Sequence, residues 1–383
     1  MRTRKNTDVE CIAYKFTVKP TDTQKLLFAK AFGCKRFLYN AMLSDESYHY
    51  KVMGKSLRNE VTDYKDMYPF LNEVDSLVLA NAKLSLANAF DKFFARTADY
   101  PVFKKKSGRQ SFTTNCSNKK KPNLVYNFDT KCLKLPKIDE PLRVVQHRSI
   151  KPGGVLKSAT VSMETDGRYY VSMLFEYPAV ITKPVISENV KAIGLDMSME
   201  YFYVDSNGDV ADYPKFYRRM EAVLAKEQAK LSRMVKGSNN YHKQKHRIAR
   251  LHAKIKHQRS DFLHKLSYSL VMGYDVICIE SLNMKGMSQA LHLGKSVHDL
   301  GWGEFVRMLA YKCKKYGKSL IMVDKFYPSS KTCISCGYVH KDLTLSDRLF
   351  ICPECGHLID RDWQAAMNIR SEGLRIYYSE AAA

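Results

Sequence analysis

The sequence predicts an α+β protein of several domains, and three observations carry that expectation. From residue 190 onward, apolar strand-like runs alternate with helical stretches, the pattern of a sheet covered on its faces. Nearer the N-terminus, half-buried strands with alternating apolar residues bracket a wholly helical region. Two Cys-x-x-Cys pairs, at 333–336 and 352–355, mark a small module of their own. With 383 residues and 45% hydrophobic content, the chain can bury a substantial core.

Taken in order, Ile12, Tyr14, Phe16 and Val18 alternate as in a strand with one buried face. Pro20 follows, and Thr21 with Gln24 three positions later has the spacing of a capping box. To about Thr97 the chain reads helical. Leu26, Leu27, Phe32, Phe37, Leu38 and Met42 form one apolar set and Leu77 to Phe94 another, with breaks at Pro69 and Asp75–Ser76. Residues 101–122 are polar and turn-rich. Four strand-like runs follow from Leu124 to about Pro178, including a hairpin of Ala159–Met163 and Tyr169–Phe175 around Asp166–Gly167. Together with the first strand they predict a small β-barrel or sandwich into which the helices are inserted. Pro178–Asn189 reads as a linker. Then come strands at Val190–Asp196 and Tyr201–Val204, an Asn207–Gly208 turn, and a long basic helical region from about Tyr217 to Val271. A strand at Asp275–Glu280, a helix near Trp302–Tyr316, a strand at Ser319–Asp324, the cysteine module and a helix after Asp362 complete the pattern.

The charge balance is far from neutral: 62 Lys and Arg against 39 Asp and Glu give +23. Such an excess attracts polyanions through counterion release, and nucleic acid is the expected partner. No apolar stretch approaches the about 18 residues of a membrane span, and Met1–Asn6 is basic with no apolar segment behind it, so a cytoplasmic, nucleoid-associated protein with no membrane partner is expected. Six cysteines (Cys11, Cys34, Cys116, Cys132, Cys278, Cys313) stand singly, which fits a reducing compartment.

Cys333, Cys336, Cys352 and Cys355 have the spacing of two facing knuckles that complete a tetrahedral Zn²⁺ site. Four thiolates leave no open coordination position, so that zinc is expected to be structural. The chemistry points elsewhere. Asp196 and Glu280 each end an apolar strand, and Asp362 opens the last helix. Three carboxylates gathered at the open end of a sheet repel one another unless cations neutralise them. A pair of Mg²⁺ ions held there would activate water and stabilise the leaving oxygen of a phosphodiester. Asp360, two positions away, competes with Asp362 for the role, and spacing alone does not show that the acids converge.

Two stretches suit nucleic acid. The helical hairpin turning at Gly237–Asn240 carries Arg218, Arg219, Lys243, Arg247, Arg250 and Lys254, with Leu224, Leu231, Ile248, Leu251, Ile255 and Phe262 on an apolar side. The alternative is a solvated helix face. Lys104, Lys105, Lys106, Arg109 and Lys119–Lys121 are interleaved with Phe103 and Phe112. The lysines are expected to meet phosphates and Phe103 to lie in the core. His242, His246, His252, His257 and His264 lack acid or cysteine partners at ligand spacing and are expected at the surface.

The order Gly-Leu-Asp196, Ile-Glu280-Ser-Leu-Asn, Ser329-Ser-Lys-Thr-Cys333-x-x-Cys336-Gly, Cys352-x-x-Cys355-Gly and Asp360-Arg-Asp362-x-x-Ala-Ala-x-Asn-Ile resembles the TnpB family encoded by insertion sequences. The likeness spans nearly the whole chain and is most specific at its C-terminal end. It implies a RuvC-like RNase H nuclease domain at 190–330 and 356–383, with a basic helical insertion at about 215–270 and a zinc ribbon at 331–356. It further implies a wedge-like β-barrel lobe at 1–20 and 100–180 and a helical recognition lobe at 21–99. Asp196, Glu280 and Asp362 become the catalytic acids and Mg²⁺ ligands. Gln364 stands where the family usually has Asn. The implied activity is RNA-guided, Mg²⁺-dependent cutting of double-stranded DNA beside a short flanking motif, by a monomer with guide RNA and target DNA as partners. Ser76, Asn81, Lys83, Thr113 and Thr114 lie in the region that would read that motif. Alternatives are a compact CRISPR Cas12-type effector and a guided DNA-binding regulator that does not cut.

Overall fold

A computed structural model describes residues 9–57, 59–117, 122–178, 189–284, 286–287, 299–344 and 347–381. Met1–Asn6, Lys119–Lys121 and most of the 178–189 linker lie outside them. The chain forms two units, Met1–Val180 and Ile181–Ala383.

In the first unit, β1 (Val9–Val18) buries Tyr14, Phe16 and Val18 on alternate positions, as the period of a strand requires. It pairs antiparallel along its whole length with β7 (Tyr169–Pro178), Val9 facing Pro178 and Val18 facing Tyr169. β2 (Gln110–Asn115), β3 (Val125–Asn127), β4 (Cys132–Lys134), β5 (Leu142–Val145) and β6 (Val155–Met163) complete a seven-stranded sheet in the order β2-β6-β7-β1-β5-β4-β3. Between β1 and β2 run α1 (Asp22–Met53), α2 (Val61–Met67), a 3₁₀ turn at Pro69–Glu73 and α3 (Ser76–Phe94). The Thr21 capping box is formed: its hydroxyl accepts from the Gln24 amide at 3.3 Å, and its own amide donates to Gln24 Oε1 at 3.1 Å. Helices and sheet share one core, in which Phe112 of β2 lies 5.8 Å from Phe28 and 5.6 Å from Phe32, centroid to centroid. Three expectations need correction. The helical region breaks once more, between Gly54 and Glu60, because Gly54 adopts a left-handed φ of 65° that ends α1. Residues 110–115 form a strand rather than a turn-rich segment. Phe103 is 55% exposed, not core.

In the second unit, β8 (Ala192–Met197), β11 (Val276–Glu280) and β12 (Ser319–Val323) run parallel, while β9 (Tyr203–Asp205) and β10 (Val210–Ala211) extend the sheet antiparallel, in the order β10-β9-β8-β11-β12. Helices cover both faces, which is why these strands read as unbroken apolar runs. α5 (Asn239–Gly273) and α6 (Trp302–Tyr316) pack Leu263, Leu270, Phe305 and Leu309 against Ile193, Leu195, Ile277 and Ile279. On the other face α7 (Arg361–Ala381) sets Ile369 and Tyr377 against Ala192, Val276 and Cys278. α4 (Phe216–Ser232) pairs with α5 through Leu224, Ile248 and Ile255, and their connection falls at 233–238, slightly earlier than the sequence suggests. Among the described residues no helix is long and apolar enough to cross a membrane.

α7 lies unusually close to the sheet, and two glycines permit it. A Cβ on Gly194 would stand 2.1 Å from the Ala366 carbonyl oxygen, and one on Gly373 would stand 2.3 Å from Cys278 Sγ. Both contacts are impossible without moving backbone or core. Gly194→Ala is therefore expected to cost about 3 kcal/mol and to lower Tm by roughly 6–12 °C for a unit of this size. Thermal unfolding checks it; a shift under about 2 °C would mean the helix has room to retreat.

Candidate functional site

The sheet register places the first two acids. Leu195 of β8 is directly opposite Ile279 of β11, so Asp196 and Glu280 follow side by side at the C-terminal ends of neighbouring parallel strands. Those strand ends are where open α/β sheets receive ligands. The third acid arrives from the opposite direction. The hairpin β13 (Leu349–Ile351) and β14 (Leu358–Asp360) runs straight into α7. Asp360 Oδ1 accepts from the amides of Asp362 at 2.9 Å and Trp363 at 3.0 Å, and so caps the helix. Asp362 stands in its first turn. Trp363 anchors that turn: its Nε1 donates to the Ser206 carbonyl at 3.3 Å, and its ring lies over Gly208.

The electrostatics agree with convergence. Burial raises the Asp196 carboxyl well above the usual carboxylate range, and the nearby Glu280 and Asp362 charges push it further, against a smaller opposing pull from Arg361. Glu280 is raised by burial, while the hydroxyl of Ser329, which donates to its Oε1, favours the ionised form. Asp362 is turned toward arginines, with Arg361 Nη2 at 3.1 Å from Oδ1 and Arg348 Nη1 at 3.8 Å from Oδ2. The three carboxylates are less tightly gathered than the four thiols described next. Even so, Asp196 is half-buried and penalised by two other acids, a donor set that a cation would relieve, so these residues fit Mg²⁺ chemically.

The cysteine sulfurs all lie within 4.8 Å of one another. Cys333 Sγ is 3.7 Å from Cys355 Sγ, and Cys336 Sγ is 3.6 Å from Cys352 Sγ. Tetrahedral zinc with Zn–S bonds of ~2.3 Å requires sulfurs ~3.8 Å apart, so the cluster fits that ion. Gly337 and Gly356 hold left-handed φ values of 77° and 71° and close each knuckle, their amides donating to Cys333 and Cys352 carbonyls at 2.9 Å. Burial opposes ionisation of Cys352, but the amides of Cys355 and Glu354 and the neighbouring thiols outweigh it and bring its pKa down to about 7. Beneath the cluster sits a small core of Leu343, Phe350 and Ile359. Asn368 of α7 ties the approach to this module down, donating to the Ser329 carbonyl at 2.7 Å and the Thr332 carbonyl at 2.6 Å.

The surface candidates divide. Lys243, Arg247, Arg250 and Lys254 are exposed on α5, and Arg218 and Arg219 on α4; Arg247 also meets the buried Glu227 at 3.3 Å. The five histidines named above are exposed. Lys104, Lys105, Lys106 and Arg109 are exposed on a loop of the first unit. Ser76, Asn81, Lys83, Thr113 and Thr114 have partners within the chain: Lys65, the Leu77 and Thr113 carbonyls, Glu60, Thr160 and Asp75, respectively. Sequence reasoning missed Ser329, Asn368, Arg361, Trp363 and the two glycines. Ser329 and Asn368 stood inside quoted motifs, but only the fold shows what they touch.

Three family matches fall along the chain: "Helix-turn-helix domain" at residues 11–55, "Probable transposase" of the OrfB IS605 type at 170–291, and "Cas12f1-like, TNB domain" at 302–369. A protein of Streptomyces pristinaespiralis named for RNA-guided DNA endonuclease activity is 35% identical over 370 residues, covering 94% of this chain and 89% of its own. InsQ of Escherichia coli K12, similarly named, is 28% identical over 383 residues, covering 94% and 92%. The TnpB-like protein L79 of Acanthamoeba polyphaga mimivirus is 26% identical over 245 residues, 58% of this chain and 45% of that one. Among solved structures, the Cas12f1 chain of a complex with sgRNA and target DNA superposes with a TM-score of 0.58 at 12% identity, covering 95% of this chain and 99% of that one. That likeness concerns fold.

Proposed function

Since this chain belongs to the TnpB (OrfB) family of insertion-sequence proteins named as RNA-guided DNA endonucleases, we propose that it is such an endonuclease, cutting target DNA beside a short flanking motif. The observation that carries the reading is the in-register placement of Asp196 and Glu280, with Asp362 of α7 close enough to raise Asp196. Guide RNA and double-stranded DNA are its partners, in keeping with the +23 charge.

The finer assignment follows the same lines. The sheet of the second unit with α5, α6 and α7 serves as a RuvC-like RNase H domain, and residues 331–356 as a structural zinc ribbon. The sheet of the first unit serves as a wedge-like barrel, with the helices at 21–99 as recognition lobe. Asp196, Glu280 and Asp362 would hold two Mg²⁺ ions, which would supply Lewis acidity toward the scissile phosphate. Ser329 orients Glu280, and Asp360 caps the start of α7, in whose first turn Asp362 stands. Arg361 and Arg348 balance the charge of Asp362. The exposed cations of α4 and α5 grip a heteroduplex by its backbone, which needs no fixed sequence motif.

The test uses purified protein with its co-purifying RNA and plasmid carrying a matched target behind a randomised flank, with Mg²⁺ or with EDTA. Linearisation that requires guide, target and Mg²⁺ is the expected result. Stable guide-dependent binding without cutting under any divalent ion would replace this reading with that of a regulator.

A further inference from the structure

Gln364 stands in the first turn of α7, two residues after Asp362, and is fully buried. Both polar atoms of its side chain lack a hydrogen-bond partner among the described residues. A buried amide left unpaired is costly, and folds rarely keep one without a use.

Helical geometry shows what covers it. Ala366, whose carbonyl oxygen closes on Gly194, faces the sheet. Gln364 comes two residues earlier, about 200° around the helix and so on the far side. Its neighbours on that side are the residues three and four positions on. Met367 packs against the core of Cys333, Leu343, Phe350, Cys352 and Ile359, and Asn368 donates to the Ser329 and Thr332 carbonyls. The cysteine module therefore lies over the Gln364 amide.

That module holds acceptors which the amide suits. Cys333 and Cys352 are each 1% exposed, whereas Cys336 and Cys355 are open to solvent. Exposed sulfurs can turn to water; buried ones depend on donors from the chain. Cys352 already has the amides of Glu354 and Cys355 beside it. Cys333 directly follows Thr332, whose carbonyl lies 2.6 Å from Asn368 Nδ2, one helical turn from Gln364. A neutral thiol is a weak acceptor. Zn²⁺ with four thiolates carries a net charge of about −2, and its sulfurs accept N–H groups strongly. A second polar atom of this neighbourhood is unpaired as well, Nε2 of His357, two positions after Cys355.

We infer that Gln364 is a positioning residue of the zinc ribbon: its Nε2 donates to the buried Cys333 thiolate when zinc is bound, and ties the ion to the turn that carries Asp362. The inference rests on the zinc-ribbon reading above and extends it from the four ligands to a donor behind them. Such donors orient metal ligands and set the affinity of the site.

An idle buried amide and a donating one predict opposite signs. Gln364→Met keeps the unbranched shape and helix preference of the side chain and removes the donor. Were the amide idle, the variant would hold zinc as tightly as wild type or more tightly, a buried polar group having been removed. Full-length wild type and Gln364→Met are titrated with Zn²⁺ against a competing chelator, and separately loaded with Co²⁺ in its place. The variant is expected to hold zinc about tenfold more weakly. Its sulfur-to-cobalt charge-transfer band is expected at longer wavelength, since a thiolate relieved of a hydrogen bond gives up its electron more readily. The band arises from loaded sites alone, so a partly unfolded preparation does not obscure it. Equal or tighter zinc binding by the variant, or an unmoved cobalt band, would overturn the inference and leave the ribbon reading intact. A wild-type chain whose thiols take up neither ion would remove both.

Discussion

Replacing Asp196 with Asn should abolish DNA cutting while leaving guide and target binding in place, and should make the metal-free protein more stable. The first half follows from chemistry. Losing a cation-binding carboxylate removes several kcal/mol of charge stabilisation in the transition state, and at 1.4 kcal/mol per tenfold that is at least about a thousandfold. The second half follows from the environment. Burial and the Glu280 and Asp362 charges raise Asp196 well above a carboxylate's usual range, so the folded chain binds this proton more tightly than the unfolded chain does. Stability therefore falls as pH rises from about 4 through the folded value, and the penalty persists in full above it. Asparagine carries no such penalty. Its Tm advantage should be present at pH 7–8 in EDTA and vanish below about pH 4. Mg²⁺ should raise the Tm of wild type and not of the variant. Cutting by Asp196→Asn within tenfold of wild type, or an equal Mg²⁺ response, would remove Asp196 from the metal-binding set.

Cys352→Ser should be nearly as damaging to cutting, by a different route. Among the described residues, the core under the cysteines consists of Leu343, Phe350 and Ile359 with the half-buried Met367 against them. So small a core cannot fold the module unaided, whereas a structural zinc contributes about 10–16 kcal/mol in comparable peptides. Its loss would propagate along two connections. β14 leads directly into the Asp360 cap that sets Asp362, and the Ser329–Thr332 segment, fixed by Asn368, presents the hydroxyl that orients Glu280. Cutting should fall at least about a hundredfold, bound zinc should drop from one equivalent to none, and limited proteolysis should open the 331–360 region while the rest stays protected. Chelating wild type should reproduce this, and restoring Zn²⁺, not Mg²⁺, should reverse it. A variant that retains full activity without zinc would show the module to be dispensable for the acids.

Much of this was legible in the sequence because it is local. The Thr21–Gln24 cap is a matter of spacing, and so are the knuckles at 333–336 and 352–355. Asp196 and Glu280 stood out because a fully covered strand is apolar throughout, so an acid at its end is conspicuous. What could not be read depends on which segments become neighbours. The register of Leu195 with Ile279 is a property of sheet order, and that Asp360 caps the last helix through the amides of Asp362 and Trp363 shows only in the fold. β2 escaped notice because Gln110-Ser-Phe-Thr-Thr-Asn has one large apolar residue; Phe112 fills the core while Thr114 is buried by its bond to Asp75. Phe103 misled in the opposite sense, an aromatic ring left at the surface.

The closeness of α7 to the sheet has an evolutionary side. The second unit packs α7 against its sheet at two positions with no side chain, Gly194 and Gly373, while the acids stand at the strand ends and in the first helical turn. Fold and chemistry thus rest on different positions. A single-base change that turns Asp196 or Asp362 into Asn silences the blade and spares the architecture, whereas a change at either glycine threatens every property at once. Descendants that still find DNA but no longer break it are therefore one step away in sequence space, and descendants that cut without this helix in place are not within reach.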